Sequence, residues 1–98
     1  MRDDDNVDGV ARRLLVVGRV QMVGFRWFAF RAAQQLGLRG WVRNLPDGRV
    51  EILAAGDAQA LAQLEAAIQK GPALARVSSV EKEDIPHEVV TAKSFEMR

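Results

Sequence analysis

Two helix-like stretches of this sequence are separated by two strand-like stretches that a short turn joins. In the first, residues 25–36, apolar side chains recur every three or four positions. Gly37 follows, and glycine suits the left-handed end of a helix. The second helix-like stretch begins after Asp57, whose carboxylate is a good helix cap. Its apolar stripe carries Leu61, Leu64 and Ile68. These periods predict two amphipathic helices with a hairpin between them.

Strand-like segments precede and separate the helices. Residues 14–17 form a short apolar run followed by glycine, which is typical of a central strand buried on both faces. Residues 38–42 and 49–54 lie on either side of a Pro-Asp-Gly sequence. Proline fixes one φ and glycine accepts a positive one, so this sequence predicts the turn of a hairpin.

Two further strands follow the second helix. Residues 75–82 predict the fourth strand, but Val77 and Val80 are spaced three apart and break the alternation of a flat strand. We therefore expect a bulge at Ser78-Ser79. Phe95 and Met97 repeat at period two and predict a short edge strand at the C-terminal end.

The resulting order is β-α-β-β-α-β with an added short strand. Helices separated by a hairpin can both pack on one face of an antiparallel sheet, which is the ferredoxin-like split β-α-β sandwich of the α+β (α/β) class. We expect the first and third strands at the centre of the sheet. RNA-recognition modules share this fold but stack bases on aromatic side chains of the central strands. Residues 14–20 and 49–54 contain no aromatic residue, so the sequence does not favour RNA binding.

Composition narrows the range of functions. The 98 residues suffice for one domain and include no cysteine and one histidine, so a disulfide framework, a thiol nucleophile or a histidine triad is not expected. Residues 1–9 carry one arginine and four aspartates, and we expect them to form a disordered acidic tail before a domain over residues 10–98. No apolar run reaches the ~20 residues of a membrane span. We expect a cytoplasmic monomer that binds neither a membrane nor nucleic acid.

The segment between the first strand and the first helix is the best candidate for a binding site. It contains Gly18 and Gly24 and leads directly into a helix N-terminus, where free backbone N–H groups and the helix dipole attract anions. Arg26 lies in the first helical turn, where a cation is unfavourable for the helix itself. Two interpretations are open: Arg26 binds an anion as a guanidinium fork, or it is a solvated surface arginine.

Asn44, at the end of the second strand, is the second candidate. Asparagine is common in turns, so a purely structural role is one interpretation. In a split β-α-β sheet, however, the end of the second strand lies near the loop that follows the first. There the Asn44 amide would both donate to and accept from a water molecule beside an anion held by Arg26.

Two segments of the chain together resemble the signatures of the acylphosphatases. The segment 18–26 (GRVQMVGFR) resembles the first signature, and the segment 40–44 (GWVRN) with Gly48, Val50 and Gly56 resembles the second. The closing residues 94–98 are similar to the family's C-terminal strand. The resemblance covers about residues 10–98, and two signatures at the right separation are far more specific than one glycine motif.

The resemblance implies hydrolysis of the mixed anhydride of a carboxylic acid and phosphate, with a small acyl phosphate as the ligand and no metal or organic cofactor. It matches Arg26 to the family's phosphate-binding arginine and Asn44 to its water-positioning asparagine. The backbone N–H groups that would bind the phosphoryl oxygens belong to Gln21, Met22, Val23, Gly24 and Phe25. Water would attack phosphorus in line, and the carboxylate is a good leaving group.

One position departs from the family pattern, since Met22 stands where the family has glycine. A methionine there either distorts the turn or holds a φ that costs a non-glycine residue ~1–2 kcal/mol. We expect Met22 to weaken catalysis relative to glycine. The alternative function is a non-catalytic phosphate- or anion-binding module, and a fused domain of a larger protein is a further possibility.

Overall fold

Strands and helices follow one another in the order that the sequence predicts. The structure is a computed structural model that describes residues 9–98, so the predicted acidic tail lies outside the described residues except for Gly9. The elements are β1 (Val10–Arg19), α1 (Phe25–Gln35), β2 (Arg39–Asn44), β3 (Val50–Gly56), α2 (Ala58–Lys70), β4 (Arg76–Ile85) and β5 (Phe95–Met97), with a 3-10 turn at His87–Val89. Gly37 has a φ of 72° just beyond α1, and the Asp57 carboxylate accepts hydrogen bonds from the N–H groups at the start of α2, as expected.

The five strands form one sheet in the order β4-β1-β3-β2-β5, which confirms β1 and β3 as its central strands. Neighbours among the first four are antiparallel, but β5 runs parallel to β2, with Gly40 opposite Phe95. The expectation of a wholly antiparallel sheet is therefore wrong for this one pair. Because β4 and β2 run in opposite directions, β4 ends where β2 begins, and a chain that crosses along that end of the sheet enters β5 in the direction of β2.

Both helices pack on the same face of the sheet, as predicted. One core cluster joins the buried side chains of α1 and α2 to those of Leu14, Val16 and Ile52 on the central strands. The contributing helix residues are Phe25, Ala29, Ala33, Leu61, Leu64 and Ile68. A smaller cluster of Ala11, Leu53, Ala55 and Val90 covers part of the opposite face. The prediction that β1 is buried on both faces is thus confirmed for its middle residues.

An ion-pair network reinforces the hairpin of β2 and β3 on the face opposite the helices. Arg13 and Arg43 donate to the Glu51 carboxylate at 2.5 and 2.7 Å, and the Glu51 side chain is only 5% exposed. Burial raises the pKa of Glu51, but the hydrogen bonds from both arginines outweigh it and hold this pKa below its ordinary value. Because Arg43 precedes Asn44 on β2, the network also holds the end of β2 that carries Asn44.

The predicted bulge lies near the end of β1 that precedes the candidate binding loop. Val17 pairs with Ser79 and Gly18 with Val77, so Ser78 has no partner on β1. Gly18 has a φ of 135°, and a Cβ there would lie 2.0 Å from the Arg76 carbonyl oxygen. Only glycine fits this close approach. Beyond the bulge, Gly18 and Arg19 still pair with β4 in the shifted register, and β1 ends at Arg19 before the loop that leads to α1.

Candidate active site

The loop between β1 and α1 forms a concave backbone surface at the N-terminus of α1. Met22 and Gly24 have φ values of 63° and 77°, both in the left-handed region. Left-handed residues in a tight turn direct neighbouring N–H groups into an anion-binding concavity. Within the part of the chain that the structure describes, none of the backbone N–H groups from Gln21 to Trp27 donates to a backbone carbonyl. We call this loop, residues 20–24, with the first turn of α1, the cradle.

Met22 adopts the conformation that glycine would take at this position. From the sequence, Met22 would either distort the turn or hold a φ that is costly for a non-glycine residue. Its φ of 63° corresponds to the second outcome, so the turn is kept and the methionine is left-handed. Its side chain is fully exposed and therefore avoids the loop backbone. The remaining cost is the left-handed penalty of ~1–2 kcal/mol for a non-glycine residue.

The two helices differ in how their N-termini are satisfied. Asp57 caps α2 by accepting hydrogen bonds from the N–H groups of Gln59 and Ala60. Gly24 is the N-cap of α1 and has no side chain to do this, and no acidic residue lies in the first turn of α1. The positive end of the α1 dipole therefore remains available to an external anion.

Arg26 extends from the first turn of α1 and contacts Arg98, the residue that follows β5. Its Nη1 donates to the carbonyl oxygen of Arg98 at 2.9 Å, and the N–H of Arg98 donates to the Val42 carbonyl at 2.8 Å. The Arg98 guanidinium lies over the Trp41 ring, 5.1 Å from its centroid, which further fixes this end of the chain. Among residues 9–98, no Asp or Glu side chain forms an ion pair with Arg26, so the donors that do not contact Arg98 are available to a ligand.

Asn44 is the last residue of β2 and lies opposite Val50. Its Oδ1 is buried and has no hydrogen-bond partner among the described residues. Such an acceptor is costly in a folded protein and is rarely retained without a use. A cavity of about 230 Å³ contains Asn44 and Arg26 in its wall. The other lining residues are Val20, Met22, Gly24, Phe25, Trp27 and Met97.

The structure thus brings five of the seven sequence-predicted residues to one cavity, namely Arg26, Asn44, Met22, Gly24 and Phe25. Val23 and Gln21 do not line it. Val23 packs against the core beneath the loop.

Gln21 connects the cradle to the β2–β3 hairpin. Its Nε2 donates to the carbonyl oxygens of Leu45 and Arg49 at 2.8 and 3.0 Å. These bonds span the turn that follows Asn44, so Gln21 holds the loop and Asn44 in register. The sequence predicts a role only for the Gln21 backbone, because side-chain partners more than twenty residues away leave no local pattern.

Comparison with known proteins identifies the family. Residues 12–97 match the sequence profile of the family described as Acylphosphatase. The chain is 58% identical over 84 residues to an acylphosphatase of Koribacter versatilis, with 86% of this chain and 76% of that protein covered. The chain belongs to the acylphosphatase family. The crystal structure of acylphosphatase from Bacillus subtilis superposes with a TM-score of 0.86 at 36% identity, covering 91% of this chain and 98% of that one.

Family membership establishes the activity class of this acylphosphatase. Several acylphosphatases at about 50% identity or more cover most of the chain, and the activity is hydrolysis of small-molecule acyl phosphates. The alternative of a non-catalytic anion-binding module is not favoured. The same fold also occurs inside a larger protein, since HypF of T. kodakarensis matches with a TM-score of 0.79 at 36% identity, covering 91% of this chain and 12% of that one. No helix within residues 9–98 is long and apolar enough to cross a membrane.

Proposed function

We propose that this acylphosphatase binds the phosphoryl group of its substrate through Arg26 and the backbone N–H groups of Gln21 to Phe25, and that Asn44 positions the attacking water. One observation carries the proposal. Arg26 and Asn44 line one cavity at the N-terminus of α1, and the buried Oδ1 of Asn44 has no hydrogen-bond partner among the described residues.

Three independent sources of positive potential converge on the phosphoryl group. They are the Arg26 guanidinium, the N–H groups of the cradle and the dipole of α1. Negative charge spreads over the equatorial oxygens of phosphorus in the transition state, so donors already aimed at these oxygens lower the barrier. The hydrogen bond from Arg26 to the Arg98 carbonyl leaves the guanidinium oriented before substrate binds.

Asn44 acts on water rather than on phosphate. Its Oδ1 accepts a hydrogen bond from the water and orients the water lone pair towards phosphorus. As the new P–O bond forms, the bond between phosphorus and the acyl oxygen breaks and the carboxylate departs with that electron pair. The water proton passes to a phosphate oxygen or to solvent.

The leaving group explains why these few residues suffice. A carboxylate is stable as an anion, so it requires no general acid to protonate it. Among the described residues, the side chains that line the cavity accordingly include an arginine and an asparagine but no carboxylate or imidazole. We also propose that the reaction needs no metal ion, and turnover of an acyl phosphate in excess chelator tests this. Loss of turnover that a divalent ion restores would contradict it.

The role of Arg26 is tested by phosphate inhibition. Arg26→Ala is expected to lower kcat/KM for acetyl phosphate by ~10²-fold or more and to raise the inhibition constant of inorganic phosphate. Arg76→Ala is the matched control, because Arg76 is an exposed arginine on β4 that does not line the cavity. An unchanged inhibition constant in Arg26→Ala would show that another group binds the phosphate.

We further propose that the enzyme works as a cytoplasmic monomer and binds no nucleic acid. Arg26 and Asn44 lie in the same chain, so the cavity is formed without a second subunit. On the face opposite the helices, the side chains of the central strands include Ala11, Arg13 and Leu53, of which Ala11 and Leu53 are buried, and none of the three is an aromatic residue that could stack a base. Sedimentation equilibrium, titration with single-stranded RNA and cell fractionation test the three statements. A stable dimer, micromolar RNA binding or a location outside the cytoplasm would contradict them respectively.

A further inference from the structure

We propose that a groove along α1 binds the acyl portion of the substrate and favours acyl groups that combine an aromatic ring with a distal carboxylate. The inference rests on the proposed function, because it requires the phosphoryl group to lie in the cradle. It adds a specificity site outside the catalytic cavity.

The groove begins where the catalytic cavity ends. It has a volume of about 350 Å³, and Gly24 and Trp27 lie in the walls of both. From there it follows Phe28, Arg31 and Gln35 along α1, with Pro72 on the opposite side. A substrate whose phosphoryl group occupies the cradle therefore has this groove as a neighbouring concave surface for its acyl group.

The wall of the groove is aromatic near the cradle. Trp27 is 53% exposed although it is a large apolar side chain. Phe30 stacks on it with ring centroids 5.6 Å apart, so the indole is held in place rather than free to rotate. Phe28 in turn packs against the buried ring of Phe25, 6.0 Å between centroids. A fixed, exposed aromatic surface next to a reaction site favours a flat apolar acyl group.

Arg31 adds a cation without an acidic partner. It is exposed, and no carboxylate among the described residues forms an ion pair with it. Its Cζ lies 5.9 Å from the centroid of the Trp27 ring, so the charge lies beside the aromatic wall. An arginine in this position offers a planar pair of donors that matches a carboxylate.

The spacing along α1 sets the size of the acyl group. Gly24 caps the helix and Arg31 lies two turns further on, roughly 10 Å along the axis at ~1.5 Å per residue. The Arg31 side chain leans back towards the N-terminus over Trp27, which shortens this separation. A benzene ring with the phosphorylated carboxyl group and a second carboxylate at opposite positions bridges such a span.

The test compares three substrates: acetyl phosphate, benzoyl phosphate and 4-carboxybenzoyl phosphate. The measured quantity is the ratio of kcat/KM for 4-carboxybenzoyl phosphate to that for benzoyl phosphate, which cancels effects on folding and on phosphate binding. Arg31→Gln is expected to lower this ratio about five-fold, the size of one exposed charge-assisted contact. Arg31→Lys keeps the charge but not the fork and is expected to lower it less.

One further variant separates a direct contact by Arg31 from an effect of net charge, and another tests the aromatic wall. Lys93→Gln removes one positive charge from an exposed residue beside the start of β2, at the other end of that strand from Asn44. It is expected to leave the ratio within two-fold of the wild type. Trp27→Leu is expected to lower kcat/KM for benzoyl phosphate more than for acetyl phosphate.

An unchanged ratio in Arg31→Gln, or an equal fall in Lys93→Gln, would overturn the acyl-binding groove. Neither result bears on the cradle, which is tested separately by phosphate inhibition of Arg26→Ala. If that variant retains wild-type inhibition, the proposed function fails instead. The two failures are therefore distinguishable.

Discussion

The buried oxygen of Asn44 leads to the sharpest prediction, since one substitution should improve stability and remove activity. An unpartnered buried acceptor costs about 1–3 kcal/mol, and the Oδ1 of Asn44 has no partner among the described residues. Asn44→Ala deletes this acceptor together with a few packing contacts. We expect the free energy of unfolding to stay constant or to rise by up to about 2 kcal/mol.

Activity should change in the opposite direction. Removing one preorganised polar group from a reaction site typically lowers kcat by ~10²-fold or more. Because Asn44 orients water and Arg26 binds phosphate, the inhibition constant of inorganic phosphate should remain near the wild-type value. Asn44→Asp provides a contrasting variant, since its carboxylate accepts a hydrogen bond but repels the anion and should raise that inhibition constant.

Urea denaturation, steady-state hydrolysis of acetyl phosphate and phosphate inhibition together check the prediction. Wild-type kcat in Asn44→Ala would refute the water-positioning role. A loss of more than about 2 kcal/mol of stability together with lost phosphate inhibition would show that Asn44 maintains the cavity instead.

Two further predictions concern the loop and the open face of the sheet. The left-handed φ of Met22 costs ~1–2 kcal/mol and so disfavours the loop conformation that forms the cradle. Met22→Gly removes this cost, and kcat/KM should rise by up to about ten-fold. The melting temperature should change little, because glycine also adds entropy to the unfolded state. Stopped-flow hydrolysis and calorimetry check this, and unchanged kinetics would show that the methionine fully supports the cradle. Glu51→Gln should destabilise the fold by about 1–3 kcal/mol near neutral pH. Folding lowers the pKa of Glu51, so the stabilisation from its ionised carboxylate is present above the unfolded-state pKa and disappears as pH falls through the folded-state pKa. The free energies of unfolding of the wild type and Glu51→Gln should therefore converge at acidic pH in denaturation titrations. A difference in unfolding free energy between the wild type and Glu51→Gln that does not change with pH would contradict stabilisation by the ion pairs.

Local patterns explain why much of the fold was predictable. The apolar period of α2, its Asp57 cap and the bulge at Ser78 depend on residues within a few positions of one another, and each was found as predicted. The two segments that resemble the acylphosphatase signatures also predicted Arg26 and Asn44 as partners, although they lie on different elements. The structure places both in one cavity.

Tertiary structure decided the features that join distant parts of the chain. The parallel pairing of β5 with β2 brings the Arg98 carbonyl to Arg26 across 72 positions, and the Gln21 side chain reaches the hairpin beyond Asn44. The burial of Asn44 Oδ1 likewise depends on packing around it. Sequence periodicity indicates which face of a helix or strand is apolar, because burying that face stabilises the fold whichever element packs against it. It does not record which polar atoms meet across the sheet, because that is fixed only when strands and helices have assembled.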